Sequence, residues 1–454
     1  MSVEQSYIDI FKQNCQTIMA NSAEPLNGLR NQAFQAFCSA GFPNARHEDY
    51  QHSDMSALFA KDYGINLSQF DVTFNPYESF KCDIQNIKSH LLFVINDVFY
   101  DKSKQAQDTI SALQSQGVVI GSLRKVAKSN PDLVARYFSK ATGIGKNPIA
   151  DFNTAFALDG LFLYVPKGCV LETPVQLINV MNSQVPLLAN SRNIIVADDD
   201  SQLQIMICEH TGNELEYMSN RVYEVFANSN SNVQVYKLED SSSNMHSLSN
   251  ICAQQQQGAQ LLVHDLTLQN GVTRNDVSVD FMGENCSLSL YGLVVADNQQ
   301  KVDNHTFVNH ALPRCSSNQL YKYILSGEAV GAFEGRVLVD KGAKKTEAYQ
   351  SNKNIVSTSQ AKMYTKPHLE IYADDVKCSH GAAVGQLDES ALFYMRQRGI
   401  PETEARMLLM IAFGADVVDS IKIEALRQRM HMLVEHRFRG ETSNCGTCGG
   451  CLQI

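Results

Sequence analysis

The sequence predicts a mainly β protein, a parallel β-helix flanked by α-helical regions at both ends. Helical periodicity is absent from Phe156 to about Asp375, where short alternating runs are separated by Gly, Asn, Asp and Ser. An apolar–x–apolar pattern recurs there at intervals of 30, 28 and 27 residues, at Leu203/Ile205, Val233/Val235, Leu261/Val263 and Leu288/Leu290. Regularly repeated short strands without intervening helices are typical of a solenoid, in which stacked turns bury a continuous core. A double β-sandwich remains the structural alternative.

Residues 1–150 form the first predicted region, which is helical and mixed in character. Helical spacing of apolar residues covers positions 1 to about 60, and a polar loop at 41–59 leads into a short helix from Ser53 or Asp54. Asn96-Asp97 indicates a hairpin between two short strands. Residues 119–140 are predicted to be helical, with Asn130-Pro131 marking a helix start. The β-helix core is then expected to span 151–385.

Residues 386–437 are predicted to form a domain of three helices. The first begins after Asp388 as N-cap and stops at Gly399, and the second starts at Pro401. A third helix is expected at about 421–437. We expect these helices to cover the open end of the solenoid, which would otherwise expose strand edges. Residues 438–454 are interpreted as a flexible, cysteine-rich tail.

Composition excludes several function classes. A net charge of −10 argues against a general nucleic-acid binder, and no apolar run approaches the ~18 residues that span a bilayer. Without an export signal, the twelve cysteines are expected to be reduced thiols of a cytoplasmic protein. The motifs GxxxxGK[ST], GxSxG and HExxH and the dinucleotide fingerprint are missing, so a self-contained hydrolase or nucleotide enzyme is unsupported.

Cys378 and His380 form the most specific chemical constellation. Residues two apart on a strand face the same side, so the thiol and the imidazole should project together. A neighbouring imidazolium would lower the pKa of the thiol, and both groups suit soft or borderline metals. Two ligands do not complete an iron or zinc site, which needs about four. The alternative is a buried structural cysteine beside a hydrogen-bonded histidine.

Two further groups are weaker candidates. The tail cysteines Cys445, Cys448 and Cys451 have a spacing common in metal and iron–sulfur loops, although a thiol tail without a fixed site explains them equally well. His305 and His310 are expected to be polar residues on the outer face of a strand.

Residues 366–400, KPHLEIYADDVKCSHGAAVGQLDESALFYMRQRGI, resemble the core of the SufB/SufD family, the scaffold proteins of the Suf iron–sulfur assembly system. The resemblance extends through 305–356 and, more weakly, 153–177. KCSHG at 377–381 and ARHEDYQHSD at 45–54 resemble the D branch, although Tyr50 stands where a tryptophan is usual. The CGTCGGC tail departs from the better-known members.

The resemblance implies a right-handed parallel β-helix that pairs with the SufB subunit through its last strands. It places His380 at that interface, where a transient iron–sulfur cluster shared with SufB would form, with Cys378 as the adjacent thiol. It also implies that the SufC ATPase docks on the C-terminal helices, for which we choose the apolar positions Leu392, Met395, Leu408 and Leu409. Reduced flavin is linked to the family complex, although no flavin fingerprint is visible.

The sequence therefore predicts a non-catalytic scaffold subunit that binds neither nucleic acid nor membrane. One alternative is a homodimeric scaffold that uses the same strands. The other is a β-helix carbohydrate enzyme, which would need paired carboxylates. Asp374 and Asp375 are adjacent and are expected to face opposite sides of a strand, and tryptophan is absent, which disfavours that enzyme.

Overall fold

The computed structural model describes residues 2–69, 72, 74–79 and 87–440. Within them the chain is mainly β, a parallel β-helix of about eight turns with helices at both ends. The helices are α1 (Val3–Ala20), α2 (Glu24–Ala40), α3 (Met55–Phe59), α4 (Pro76–Ser79), α5 (Lys104–Gln114), α6 (Leu123–Ser129), α7 (Pro131–Tyr137), α8 (Pro148–Phe156), α9 (Glu389–Gln397), α10 (Glu402–Asp419) and α11 (Glu424–Phe438), with a 3-10 turn at Glu48–Tyr50. The strands are β1 (Gly64–Ile65), β2 (His90–Ile95), β3 (Val98–Tyr100), β4 (Val119–Ser122), β5 (Leu161–Val165), β6 (Val175–Met181), β7 (Leu187–Ala197), β8 (Gln202–Thr211), β9 (Tyr217–Ala227), β10 (Asn232–Asp240), β11 (Met245–Gln255), β12 (Gln260–Gln269), β13 (Val272–Phe281), β14 (Ser287–Ala296), β15 (Lys301–His310), β16 (Ser316–Leu325), β17 (Val330–Val339), β18 (Glu347–Val356), β19 (Lys362–Ile371) and β20 (Lys377–Gly385).

Successive strands alternate between two facing sheets. The odd sheet runs from β4 and β5 through β7 to β19, and the even sheet from β3, β2 and β6 to β20. All pairs in the solenoid are parallel, and only β2–β3 and β4–β5 at its N-terminal end are antiparallel. Parallel sheets are buried on both faces, which explains the apolar texture of the middle strands.

The residues that repeat in the sequence are paired with one another in the even sheet. Val233 pairs with Leu203, Leu261 with Val233, and Leu288 with Leu261. All four side chains point inward and are at most 3% exposed. The intervals of 30, 28 and 27 residues are therefore single turns of the solenoid, and the β-sandwich alternative is excluded.

Short turns connect the strands, and many of them contain a residue in the left-handed region. Asp200, Asn230 and Gly258 occupy the same turn position in consecutive coils, with φ of 59°, 57° and 70°. Asn230 also donates a hydrogen bond to Asp200, 3.1 Å between Nδ2 and Oδ1. The Gly, Asn and Asp residues that separate the strands in the sequence thus stack on one another as the strands do.

The N-terminal region covers the outer face of the odd sheet. An aromatic cluster formed by α1, α2 and α8, with Phe37 and Phe152 at its centre, packs on Leu188, Met218 and Leu248 of three neighbouring strands. The predicted hairpin at Asn96-Asp97 and the helix after Asp54 are confirmed.

One prediction in the N-terminal region is wrong. Residues 119–122 are not helical but form β4, which pairs antiparallel with β5. Helices follow at 123–129 and, from Pro131, at 131–137. Two buried apolar residues, Val118 and Ile120, join the solenoid core here, so tertiary packing overrides the helical pattern of the following residues.

The C-terminal helices do not cover the open end of the solenoid, contrary to the prediction. Val417 and Val418 of α10 and Leu433 of α11 pack on the outer face of the even sheet, against Leu266 and Leu293 in its middle strands. Helix α9 begins after Asp388 as predicted, and Asp388 accepts hydrogen bonds from the N–H groups of residues 390 and 391. Among the described residues, no strand or C-terminal helix therefore covers the end of the solenoid beyond β19 and β20.

Charged side chains lie inside the middle turns. Lys237 Nζ is 3.3 Å from a carboxylate oxygen of Asp265 and 2.8 Å from Oδ1 of Asn275. Burial raises the pKa of Glu239 to about 7 although Lys237 opposes it. His310 is also inside, fully buried 2.8 Å from the Ser317 hydroxyl, so the expectation that it faces outward is wrong.

Candidate functional site

Cys378 and His380 lie on β20, the last strand of the even sheet. Their register partners on β18 are Ala348 and Gln350, which are both buried. Since side chains alternate along a strand, Cys378 and His380 face the solenoid interior together, as the sequence predicted. No strand follows β20 in the described sheet, so this inward face is open.

The pair occupies the repeat position that forms the core elsewhere. The position occupied by Leu288/Leu290 continues in register as Ser317/Gln319, Ala348/Gln350 and Cys378/His380. The apolar repeat visible in the sequence ends at Leu288/Leu290, because the next members are no longer both apolar. The spacing itself persists, and it is the signal that could have extended the repeat to the site.

Cys378 is half-buried at the open end of the solenoid. It packs on the small apolar cluster of Val337, Val339, Ala343 and Ala348. Burial raises the pKa of its thiol above the ordinary value, while a backbone hydrogen bond from Ala348 opposes this. Desolvation thus disfavours the thiolate of Cys378 in the isolated chain, and activation of the thiol by its histidine stays a prediction.

His380 is exposed, and no hydrogen bond or ion pair joins its ring to any residue that the structure describes. Ile371, Tyr372 and Val384 lie on or beside the same last strands and are 42%, 62% and 50% exposed. A free imidazole framed by exposed apolar side chains on an open sheet end is suited to contact with another chain.

No group of three or more His, Cys, Asp or Glu side chains within the described ranges is arranged to hold a metal ion. Cys378 and His380 are therefore at most two ligands of a site that is completed from outside these residues. Cys445, Cys448 and Cys451 lie outside the described residues, so their role stays a prediction.

The candidate docking residues on the C-terminal helices separate into two environments. Leu392 is 3% exposed and belongs to the interior, and Met395 and Leu409 are partly buried. Leu408 is 37% exposed. Phe393 and Tyr394, which the sequence analysis did not select, are 64% and 59% exposed on α9. The exposed large apolar side chains of α9 and α10 are therefore Phe393, Tyr394 and Leu408.

The segment ARHEDYQHSD at 45–54 docks on the outer face of the odd sheet. Tyr50 is buried, and the Arg274 guanidinium lies 3.9 Å from its ring centroid. Arg274 also binds Asp303, and the Ser53 hydroxyl reaches the same carboxylate. A cation–π contact needs an aromatic face, and Tyr50 supplies it to Arg274 here.

The same segment reaches the last odd strand. Glu48 pairs with Lys366 at 2.7 Å, and the His52 ring stacks on Tyr364 with centroids 4.0 Å apart. Burial works against the charged form of Asp303, but His305 and Arg274 outweigh it and hold its pKa well below the usual range. Arg274 was not predicted as a site residue, because its partners Tyr50 and Asp303 are distant from it in the chain.

Asp374 and Asp375 lie in the exposed turn between β19 and β20, and Asp375 has a φ of 58°. They are not on a strand, contrary to expectation, and they form no inward carboxylate pair. Among the described residues, no helix is long and apolar enough to cross a membrane.

The fold and site define a β-helix whose open end presents a thiol and an imidazole, two side-chain types that suit metals, without a complete site among the described residues. Two family models match: the SufBD protein N-terminal region over residues 1–177, and the SUF system FeS cluster assembly SufBD core domain over residues 179–413. The chain belongs to the SufBD family of iron–sulfur cluster assembly proteins. This membership displaces the carbohydrate-enzyme alternative.

Named relatives agree with the D-branch prediction. SufD of Bacillus subtilis is 25% identical over 449 residues, 97% of this chain and 99% of its own length. SufD of Escherichia coli is 36% identical over 177 residues, 39% of this chain and 42% of its own length. A SufBD family protein of Synechocystis sp. is 29% identical over 409 residues, 88% of each chain.

Proposed function

We propose that the chain is a non-catalytic scaffold subunit, related to SufD, of a cytosolic iron–sulfur assembly complex. Its open end would pair with the SufB subunit, and the cluster built there is cargo shared between the two. His380 would bind or face the nascent cluster, and Cys378 would assist as a thiol. The observation that carries this proposal is the inward Cys378/His380 pair on a last strand without a covering turn.

The geometry of the open end supports a partner chain as the source of the missing ligands. Two imidazole or thiolate ligands leave an iron site incomplete, and the described residues offer no third. Exposed Ile371, Tyr372 and Val384 supply apolar surface beside the pair. Pairing would bury this surface and could remove water from the cysteine and histidine at the same time.

We further propose that the SufC ATPase docks on the exposed face of α9 and α10. Phe393 and Tyr394 of α9 and Leu408 of α10 are exposed apolar side chains on the helices that follow β20 in the chain. Aromatic side chains of this kind are typical energetic centres of interfaces. Helix α9 is joined to β20 by three residues, so movement of the ATPase could reach the interface directly.

We assign no residue of this chain to the reduced flavin that the family resemblance implies, because the sequence contains no dinucleotide fingerprint. The proposed cytosolic location is supported by the described cysteines, which are free thiols.

The test is the His380→Ala variant, co-expressed with the SufB and SufC partners of the native cell. We expect the purified complex to assemble normally but to retain several-fold less iron and acid-labile sulfide. His368→Ala is the matched control, because His368 lies on the neighbouring strand β19 but faces outward near Glu334. Unchanged cluster content in His380→Ala would refute the ligand role.

The docking of the ATPase is tested in the same preparations. Phe393→Ser should reduce the amount of ATPase recovered with the complex. Tyr349→Ser, which changes an exposed aromatic residue on β18, should leave that amount unchanged.

A homodimer is the second candidate, favoured by the same exposed apolar residues at the open end. Sizing the chain alone and with SufB distinguishes the two. A complex of two identical chains that SufB does not dissociate would favour the homodimer.

A further inference from the structure

The stack of residues beneath His380 contains a second unusual side chain. Gln319, Gln350 and His380 are in register on β16, β18 and β20. In the four preceding strands of the even sheet, β8, β10, β12 and β14, the same position is apolar, as at Val263 and Leu290. The last three turns thus replace an apolar column by a polar one that ends at the proposed site.

Gln319 and Gln350 differ in their hydrogen bonding. The Thr306 hydroxyl donates to Oε1 of Gln319 at 2.8 Å. Gln350 is 5% exposed, yet neither its Oε1 nor its Nε2 has a partner among the described residues. An unpaired buried carboxamide is costly, so such a group normally has a partner in the functional state.

The Gln350 carboxamide fills a space that Gly335, on the opposite sheet, leaves free. A Cβ added at Gly335 would lie 2.1 Å from Nε2 of Gln350, so the carboxamide occupies the space of the missing side chain. In the next layer, Pro367 stacks on Gly335 and His380 on Gln350. Proline has no polar side-chain atom, and the other inward polar group on β19, the Thr365 hydroxyl, stacks over Phe333 instead. The imidazole is therefore the polar group that stacks directly on Gln350.

We propose that Gln350 is a positioning residue for His380: its carboxamide hydrogen-bonds one ring nitrogen and so directs the other toward the open end. The inference rests on the proposed function only in assuming that the free ring nitrogen of His380 binds the cluster. A histidine that binds a metal usually has its second nitrogen held by such a partner, which selects the tautomer and orients the ring. Of the titratable groups on this inward face, only Cys378 shares the strand with His380. The inward positions of β19 beside it, Thr365, Pro367 and Leu369, carry none.

The test measures the tautomer of His380 directly. Histidine is labelled with ¹⁵N, and the ring signals are recorded at pH 8, with the His380 signal identified by its absence in His380→Ala. We expect one predominant tautomer in the natural chain and a mixture in Gln350→Leu, which keeps the size of the side chain but not its polar atoms. Gln350→Glu can only accept, so it should hold the ring with N–H toward the interior.

Gln319→Leu is the matched control, since it makes the same change one turn farther from His380. An unaltered His380 signal in both Gln350 variants would overturn the proposal, and the Glu variant keeps the test open if the Leu variant does not fold. In the assembled complex we expect Gln350→Leu to retain less cluster than the natural chain and more than His380→Ala. If His380→Ala retains full cluster while the Gln350 variants change the tautomer, the proposed function fails and the positioning role stands.

Discussion

The middle turns and the last turn of the solenoid use one repeat position in opposite ways. Leu261 and Val263 lie at this position in the middle and are 3% and 1% exposed. Cys378 and His380 lie at the same position on β20, where the thiol is half-buried and the imidazole is exposed. Both pairs point inward from equivalent strands. The difference is the presence or absence of a following turn.

This comparison shows that exposure here depends on position in the stack rather than on the direction of the side chain. A residue type that would be costly in the middle can lie at the end, where another chain can complete its environment. A core position becomes a functional position simply because the solenoid stops. Three predictions test how far the two regions differ, from the largest expected effect to the smallest.

The first prediction concerns stability. Leu261→Ala should lower the free energy of unfolding by about 2–5 kcal/mol, because it leaves a cavity between tightly packed turns. Cys378→Ala, at the equivalent position in the last turn, should cost less than about 1 kcal/mol, because its surroundings are already partly open. Urea denaturation followed by circular dichroism measures both. Equal losses would show that the last turn is packed like the middle.

The second prediction uses the charged interior of the middle turns. Glu239 has an ordinary pKa of 4.5 that burial raises to about 7 in the folded chain. The folded state therefore binds its proton more tightly, so this group favours folding below pH 4.5 and increasingly opposes it up to about pH 7. Glu239→Gln should stabilise the protein by about 1–3 kcal/mol at pH 8 and have little effect at pH 4.

Thermal unfolding at the two pH values checks this sign. The carboxamide introduced by Glu239→Gln can still accept from Thr273, whose hydroxyl lies 2.9 Å from both carboxylate oxygens of Glu239. A variant that is less stable at pH 8 than the natural chain would contradict the argument. It would mean that the charge of Glu239 is needed to balance Lys237.

The third prediction concerns the thiols. Cys286 and Cys315 lie inside the solenoid, before its last turn, and are each 1% exposed, so iodoacetamide should not modify them in the folded chain. Cys378 should react slowly at pH 7, because burial raises its pKa, and faster as the pH rises through 9. Peptide mass spectrometry gives the rate at each site.

Pairing with SufB should protect Cys378 from this reaction without affecting the exposed Cys38. Equal modification of Cys378 in the free chain and in the complex would place the partner elsewhere.

Much of the fold follows from spacing and turn chemistry. The intervals between Leu203, Val233, Leu261 and Leu288 predicted the turns of the solenoid, and Asp388 predicted the start of α9. The strand at 119–122 was missed because four residues carry little periodicity of their own. Its pairing with β5 is a tertiary contact.

The site was predictable in part. Cys378 and His380 were found from their residue types and spacing, together with the family resemblance. Gln350 was missed because a single glutamine inside an alternating strand has no distinctive pattern. Its meaning arises from its place between Gln319 and His380, which are 31 and 30 residues away in the sequence.

By itself, the sequence determined the repeat, the identity of the strands and the presence of a thiol and an imidazole on one face. These depend on local spacing, since alternation along a strand fixes the direction of each side chain. Only the tertiary structure decided where α10 and α11 pack and which end of the solenoid stays open. Their apolar residues could have covered any apolar surface, because hydrophobic contacts carry no direction of their own. They lie on the middle of the even sheet, and Cys378 and His380 are left at its open end.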